Sequence, residues 1–308
     1  MRIAILILSI LFINTQAAEQ DGIAPIPKTV KYNKNLALLG KKLFSDPLLS
    51  KDKKVSCSSC HSFEHGGADP RSVSIGSEGV KGNIQALSVF NARYNFKQFW
   101  NGRADSLHEQ ASRPIHNPSE MNMNENEILS RLTDIEEYRD QFKALFSKNS
   151  ITFDMVVNAI VEFEMALITP NSPFDQYLRG ERNLTKEQAD GYRIFKELGC
   201  VTCHNGINLG GNSFQKMGLF VPYRYDPTYP DLYSITKKEE HKNVYKVPML
   251  RNIELTAPYF HDASANNLES AIALMGLHDL GVELSQEHIS KLTLFLKTLT
   301  GEKPEILR

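Results

Sequence analysis

Two short stretches decide the fold, CSSCH at Cys57–His61 and CVTCH at Cys200–His204. In each, two residues separate a pair of cysteines, and a histidine follows at once. Two thioethers on one turn reach the two vinyl groups of a single porphyrin, and the next imidazole then projects at the iron. These motifs use all four cysteines of the chain. The sequence therefore predicts two covalently bound c-type haems, attached at Cys57, Cys60, Cys200 and Cys203 and ligated by His61 and His204.

The segments before the two motifs resemble each other. Gly40–Phe44 reads GKKLF and Gly191–Phe195 reads GYRIF, so each has a glycine, an aliphatic residue and a phenylalanine in the same order. Thr185 and Gln188 form a capping-box pattern that predicts the start of the second helix. The repetition favours two cytochrome c-like units. Two unrelated amphipathic helices are the alternative that this pattern leaves open.

Apolar residues at helical spacing predict further helices over residues 127–146, 153–168, 266–275 and 286–299, and strand signals are sparse. We therefore expect a mainly α fold with two cytochrome c-like haem domains, long loops and few strands. The Pro170–Pro173 stretch breaks the helical pattern and serves as the domain boundary. We assign residues 1–18 to a signal peptide, 19–170 to an N-terminal haem domain and 171–308 to a C-terminal haem domain.

Composition and the N-terminus restrict the class of protein. The chain has 308 residues and a formal net charge of −1, so no basic excess points to nucleic acid. Arg2, the apolar run Ile3–Ile13 and the small residue Ala17 form a secretory signal. The run is shorter than the roughly 20 residues that span a bilayer. We expect a periplasmic protein without a membrane span after cleavage; an uncleaved anchor is the alternative.

The sixth ligand of each iron decides the function, because an iron with two strong axial ligands carries electrons and one with an open face binds substrate. For the second haem, Met275 stands before Gly276 and ahead of the last helix, as in small monohaem cytochromes c. Core filling is the alternative role of any methionine. The other candidates for this haem are Met217, Met249, His241, His261, His278 and His288. The candidates for the first haem are Met121, Met123, His65, His108 and His116.

Longer strings resemble bacterial di-haem cytochrome c peroxidases from about Leu36 to Gly301. They are QFWNGRADSLHEQA (Gln98–Ala111), PSEMN (Pro118–Asn122), ITPNSPFDQYLRG (Ile168–Gly180), GCVTCHNGINLGG (Gly199–Gly211), LRNIELTAPYFHD (Leu250–Asp262) and ALMG (Ala273–Gly276). The related di-haem enzymes that mature methylamine dehydrogenase share this scaffold. They differ at the position of Met275, where they look to have tyrosine, and the methionine favours a peroxidase.

The resemblance implies that residues 19–170 form the peroxidatic haem domain and residues 171–308 the electron-transfer haem domain. It also implies roles for individual residues. Met275 takes the place of the methionine ligand of the electron-accepting haem, and Trp100 that of a tryptophan between the haems that relays electrons. Glu120 and Gln110 match the distal acid–base pair, where a carboxylate moves protons and an amide orients peroxide. The remaining implied site is calcium, which takes six or more oxygen ligands. Its residues would be the carbonyls of Thr256 and Pro258, with Gln85 in place of the family's asparagine.

The resemblance also implies a reaction and partners. We expect reduction of H2O2 to water with electrons from a small periplasmic carrier, either a monohaem cytochrome c or a cupredoxin, by a homodimer. One alternative is a di-haem oxidase that acts on a protein or organic substrate through a high-valent iron state. The other is a non-catalytic electron carrier or sensor in which Met121 or Met123 closes the first iron.

The loop GGADPRSVSIGSEGV at Gly66–Val80 departs from the resembling enzymes. There the loop usually reads SIGH, and its histidine ligates the peroxidatic iron in the resting state. Here Ser77 takes that position, and a serine hydroxyl is a poor ligand for haem iron. We expect the iron bound by His61 to lack the inactivating ligand, so that reductive activation is weak or unnecessary. Replacement by His65 is the alternative.

Overall fold

The computed structural model describes residues 22–308, and the predicted signal peptide lies outside the described residues. None of the described helices is long and apolar enough to cross a membrane. Within this range the mainly α prediction is confirmed. The helices are α1 (Lys34–Phe44), α2 (Cys57–Cys60), α3 (Leu107–His116), α4 (Glu125–Thr133), α5 (Glu136–Phe146), α6 (Phe153–Ala166), α7 (Pro173–Leu178), α8 (Lys186–Glu197), α9 (Tyr233–Thr236), α10 (Leu268–Leu280) and α11 (Gln286–Lys297). The antiparallel strands β1 (Phe214–Lys216) and β2 (Val244–Lys246) form a two-stranded sheet.

The buried apolar side chains form two main clusters. The first cluster draws on residues 37–167 and adds Ile306, and its central contact is α1 against α6. The second cluster draws on residues 174–299, and there α8 packs against α11. Each attachment motif follows the first helix of its pair, so packing of that helix determines where the cysteines lie. The division into domains at residue 170 stays a prediction.

Two glycines at equivalent positions permit these helix pairs to touch. A Cβ atom built on Gly40 would lie 1.8 Å from the carbonyl oxygen of Ala159 in α6. One built on Gly191 would lie 2.0 Å from the carbonyl oxygen of Lys291 in α11. No side chain fits at such distances, so backbone meets backbone at both crossings. The internal repeat predicted from the sequence is confirmed by this matched packing, and Thr185 and Gln188 form the predicted capping box.

Some predicted helix limits are wrong. Residues 127–146 form two helices rather than one, because Ile135 has extended backbone between α4 and α5. Glu136 and Glu137 then start the new helix, where acidic side chains suit the N-terminus. The helix predicted to end at Met275 continues to Leu280, so Met275 lies inside α10. Helices α3 and α7 were not predicted.

The N-terminal segment of the described chain packs against residues of the second half, and the C-terminal segment packs against the first cluster. The backbone N–H of Ile26 donates to Oδ1 of Asp175 at 3.0 Å, and Arg251 Nη2 donates to the carbonyl of Ala24 at 3.0 Å. At the other end, Ile306 is buried in the first cluster and its carbonyl accepts from Lys41 Nζ at 2.7 Å. The terminal segments therefore fasten the two halves together.

Candidate functional site

A cavity of about 250 Å³ lies beside the second motif. Cys200, Cys203 and His204 line it, and so does Met275 from α10. Its apolar wall includes Leu250, Ile253, Leu268, Ile272, Leu292 and Leu296. Two thiols, an imidazole and a thioether around one apolar space fit a c-type haem with a histidine–methionine ligand pair.

The histidines of the two motifs have matching environments. Nδ1 of His61 lies 3.2 Å from the carbonyl oxygen of Gly67, and Nδ1 of His204 lies 3.2 Å from that of Leu209. With Nδ1 donating to these carbonyls, Nε2 of each ring is left to bind a metal. Burial lowers the pKa of both imidazoles, that of His204 to about 4, and so favours the neutral form that ligates iron.

The first motif adjoins an aromatic part of the first cluster. The ring of Phe44 lies 6.3 Å from that of His61 and 5.7 Å from that of Phe63. Glu164 on α6 is also buried in this region, and desolvation raises its pKa to about 8. Its Oε2 atom has no hydrogen-bond partner within residues 22–308. Sequence reasoning missed this carboxyl group, although it interrupts the apolar face of a predicted helix.

The structure separates the candidate axial ligands of the second haem. Met217, Met249 and His261 line the cavity together with Met275, whereas His241, His278 and His288 are not among its lining residues. Met275 also packs against a small cluster formed by Trp100, Met217 and Tyr245.

The candidates for the first haem have other partners or positions. Met121 and Met123 are buried in the first cluster. The ring of His108 contacts Asp154 at 2.9 Å, and the ring of His116 contacts the carbonyl of Met123 at 2.9 Å. His65 is exposed. The two methionines are thus packed in the cluster that adjoins the first motif, and the two hydrogen-bonded histidines have partners of their own.

Trp100 lines the cavity with only 7% of its surface exposed. Its Nε1 donates to the carbonyl of Gln85 at 2.8 Å, and its own carbonyl accepts from the backbone N–H of Lys246 at 2.7 Å. The indole ring lies edge-on to Tyr245 and to His261. The predicted relay residue is therefore held rigidly at the cavity that contains Met275.

Ser77 is fully buried, and its hydroxyl is already engaged. Oγ accepts from the backbone N–H of Asp52 at 3.1 Å, and the Ser77 N–H donates to the carbonyl of Glu120 at 2.6 Å. A Cβ on the preceding Gly76 would lie 2.3 Å from the carbonyl oxygen of Ser119. The loop is thus packed directly against the turn that carries Glu120.

Glu120 lies in the turn after α3 and is partly buried. Asn117 Nδ2 donates to its Oε1 at 2.6 Å. Desolvation raises the pKa of this carboxyl group, while the hydrogen bond from Asn117 and the charge of Arg103 act in the opposite direction. Gln110 lies on α3, and within residues 22–308 no hydrogen bond joins its side chain to Glu120. Arg103 is a further residue that sequence reasoning missed.

The predicted calcium residues Gln85, Thr256 and Pro258 all line the same cavity. The backbone carbonyl of Gln85 is used by Trp100, whereas those of Thr256 and Pro258 accept no hydrogen bond from the described residues. No group of three or more His, Cys, Asp or Glu residues in the described chain could hold a metal. Calcium at this place stays a prediction.

Known proteins resemble this chain over most of its length. The di-haem cytochrome c peroxidase family matches residues 34–183. Cytochrome c551 peroxidase of Nitrosomonas europaea is 45% identical over 290 residues, which cover 94% of this chain and 86% of that protein. Cytochrome c551 peroxidase of Pseudomonas aeruginosa is 40% identical over 275 residues, covering 87% and 79%. A solved MauG-like protein associated with microbial copper homeostasis superposes with a TM-score of 0.82 at 30% identity, covering 91% and 93%.

The two attachment motifs and these matches define a haem-dependent oxidoreductase. The chain belongs to the di-haem cytochrome c peroxidase family, and it is an enzyme of the cytochrome-c peroxidase class. The resemblance inferred from the motif strings is confirmed.

Proposed function

We propose that this enzyme works in the periplasm and reduces H2O2 to water with electrons from a small cytochrome c or a cupredoxin. Each peroxide takes two electrons and two protons and gives two waters. The exported N-terminus predicted from residues 1–18 and the similarity to cytochrome c551 peroxidases support this assignment. A homodimer, and a calcium ion at Gln85, Thr256 and Pro258, complete the proposal.

Haem supplies an iron that exchanges single electrons and, where one axial face is open, binds peroxide. Cys57, Cys60 and His61 would hold the peroxidatic haem. The electron-accepting haem would be held by Cys200, Cys203, His204 and Met275, which line one cavity. Trp100 lies at the wall of that cavity and would relay electrons toward the first motif.

Glu120 would accept a proton from one peroxide oxygen and return a proton to the departing hydroxide. Two features support this role. Partial burial raises the pKa of the carboxyl group above that of a free glutamate, and the hydrogen bond from Asn117, which acts against that rise, fixes the position of the group. Gln110, one turn into α3, would orient peroxide without a change of charge.

The observation that carries the finer proposal is the engaged hydroxyl of Ser77. A serine hydroxyl is a poor ligand for haem iron, and this one is fully buried and held by a hydrogen bond from the Asp52 N–H. We therefore propose that Ser77 would leave the haem held by Cys57, Cys60 and His61 without the inactivating ligand in the fully oxidised enzyme. Such an enzyme is active as isolated and needs no prior reduction of the other haem.

The experiment is a comparison of the fully oxidised enzyme and the Ser77→His variant. We expect the wild type to show one high-spin and one low-spin haem by electron paramagnetic resonance. It should turn over peroxide without a lag. The variant should show two low-spin haems and gain activity only after partial reduction. Ser77→Ala is the control, since it removes the hydroxyl without adding a ligand and should stay active when oxidised.

Two low-spin haems in the oxidised wild type would contradict this proposal. Slow peroxide turnover together with a long-lived oxidised state after peroxide would instead favour the di-haem oxidase. Two low-spin haems with no peroxide binding at any redox state would favour an electron carrier.

A further inference from the structure

Lys246 is a buried lysine that the proposed reaction does not use. It ends β2, only 1% of its surface is exposed, and it lines the cavity beside the second motif. Its backbone N–H donates to Trp100, which fixes its position. Its Nζ atom forms no hydrogen bond or ion pair with any residue of the described chain.

An ammonium group in this position lacks a counter-ion. Moving an isolated charge out of water costs many kcal/mol, so buried lysines are almost always paired or neutral. Desolvation alone lowers the pKa of Lys246, to about 8, and no neighbouring carboxylate opposes that effect. Arg251 shows the contrast, because its equally buried guanidinium contacts Asp175 at 2.7 Å. An anion that enters the cavity would supply the partner that the described chain does not.

The cavity itself limits what that anion can be. Its lining includes the two thiols of the second motif, His204 and Met275, so its occupant is the second haem. A porphyrin of this type carries two propionate carboxylates, and a carboxylate is the group that a buried ammonium pairs with best. We propose that Lys246 is the counter-ion of a propionate of the haem held by Cys200, Cys203, His204 and Met275.

The pairing has an electrostatic consequence. A buried positive charge next to the propionate favours the reduced haem, which carries one positive charge less at the iron. Through its backbone bond to Trp100, Lys246 also ties the propionate edge of the haem to the proposed relay residue. Lys246 would thus position the haem and raise its reduction potential. This inference depends on haem binding and not on peroxide chemistry.

Redox titration of the second haem in the haem-loaded enzyme tests the inference. In Lys246→Met we expect the midpoint potential of the second haem to fall by ~59 mV. At the wild-type midpoint, the ratio of oxidised to reduced haem would then be about tenfold higher. Lys246→Arg keeps the charge and should restore a ratio near that of the wild type. Lys216→Met is the matched control. Lys216 lies on β1 and lines the same cavity, but it is exposed, so solvent and salt screen its charge.

A crystal structure of the haem-loaded wild type gives a second test that needs no variant. Nζ of Lys246 should lie within about 4 Å of a propionate oxygen. An unchanged midpoint in Lys246→Met would overturn the inference, and so would a shift seen only in Lys216→Met. A propionate that points away from Lys246 in the crystal structure would overturn it as well. None of these measurements uses peroxide, so a failure here is distinct from a failure of the proposed function.

Discussion

Buried ionisable side chains divide into those that the polypeptide neutralises and those that it leaves to other groups. Arg251 and Asp175 neutralise each other, and both are at most 1% exposed. Glu164 and Lys246 are equally inaccessible and have no charged partner among the described residues. Glu120 lies between these cases, with an amide and a more distant guanidinium beside it. Buried ionisable groups without a charged partner thus occur beside both CxxCH motifs.

Glu120 yields a prediction on activity. Glu120→Gln cannot accept a proton, so kcat should fall by about 10²–10⁴-fold in peroxide turnover. In the wild type the basic form is active, and burial raises the pKa of this group. Activity should therefore fall as the pH drops through a value above that of free glutamate. Arg103→Met removes a charge that holds this pKa down, and the fall should then occur at higher pH.

The control is Glu125→Gln, an exposed carboxyl group at the start of α4, which should leave kcat and its pH profile unchanged. Full activity in Glu120→Gln would assign the proton transfers to another group.

At the scale of elements, two helix crossings determine where the attachment motifs lie. Helix α1 ends at Phe44, and a loop connects it to α2 at Cys57, whereas α8 ends at Glu197, just before the second motif. Each of these two helices contacts its partner at a glycine, Gly40 in α1 and Gly191 in α8. A carbonyl oxygen of the partner helix occupies the space that a side chain would need. A shift of either helix moves two cysteines and a histidine together, so a single crossing sets the geometry of a whole cofactor site.

Gly40→Ala and Gly191→Ala should each lower the free energy of unfolding by about 1–3 kcal/mol, because a methyl group there forces the helices apart. This loss is expected even though alanine is the better helix former by about 1 kcal/mol. Denaturant titration of the haem-loaded protein measures it. Asn35→Ala, at an exposed position of α1, is the control and should change stability by less than about 0.5 kcal/mol. Stabilisation by Gly40→Ala would rule out the backbone contact.

Periodicity predicted most of the long helices, since their apolar faces pack against only one cluster. Periodicity gave a wrong result where the apolar spacing continues across a break in the helical backbone. The apolar series Leu132, Ile135, Tyr138 keeps helical spacing across the break between α4 and α5, so the sequence gives no sign of it. Helix α3 was missed because its sequence is polar and contains Pro114.

Motif spacing singled out Cys200, Cys203 and His204, which line the cavity beside the second motif, because a CxxCH sequence brings these three side chains together on one turn. Burial of single charges is set by tertiary packing and cannot be derived from spacing. The sequence around Lys246 does contain a signal, because this lysine is the only charged residue in the apolar stretch VYKVPML. A lysine inside such a stretch is the signal that could have identified it.

At the scale of the whole molecule, one buried network holds the first described residues to the second half. Asp175 accepts from Ile26, contacts Arg251 and forms a capping box with Ser172 at the start of α7. Arg251 Nε also donates to the carbonyl of Ile207, close after the second motif. A single ion pair therefore connects the N-terminal segment, a helix start and the loop that follows His204.

Asp175→Asn should lower the free energy of unfolding by about 3–5 kcal/mol, because it leaves the Arg251 charge buried without a carboxylate. Asp190→Asn is the control. Asp190 pairs with Lys186 and Lys291 at the surface, where such contacts contribute about 0–1 kcal/mol. Denaturation midpoints of both variants provide the comparison. If both variants lost the same free energy of unfolding, the buried ion pair would contribute no more to stability than a surface pair.

The crossed terminal segments also fix an order of events during synthesis. Residues 22–28 leave the ribosome early, but their partners at Asp175, Gly206 and Arg251 follow some 150 to 230 residues later. The segment next to the predicted export signal therefore lacks its full set of partners until Arg251 has emerged. Its docking is complete only after Arg251 has emerged, and by then both CxxCH motifs have left the ribosome.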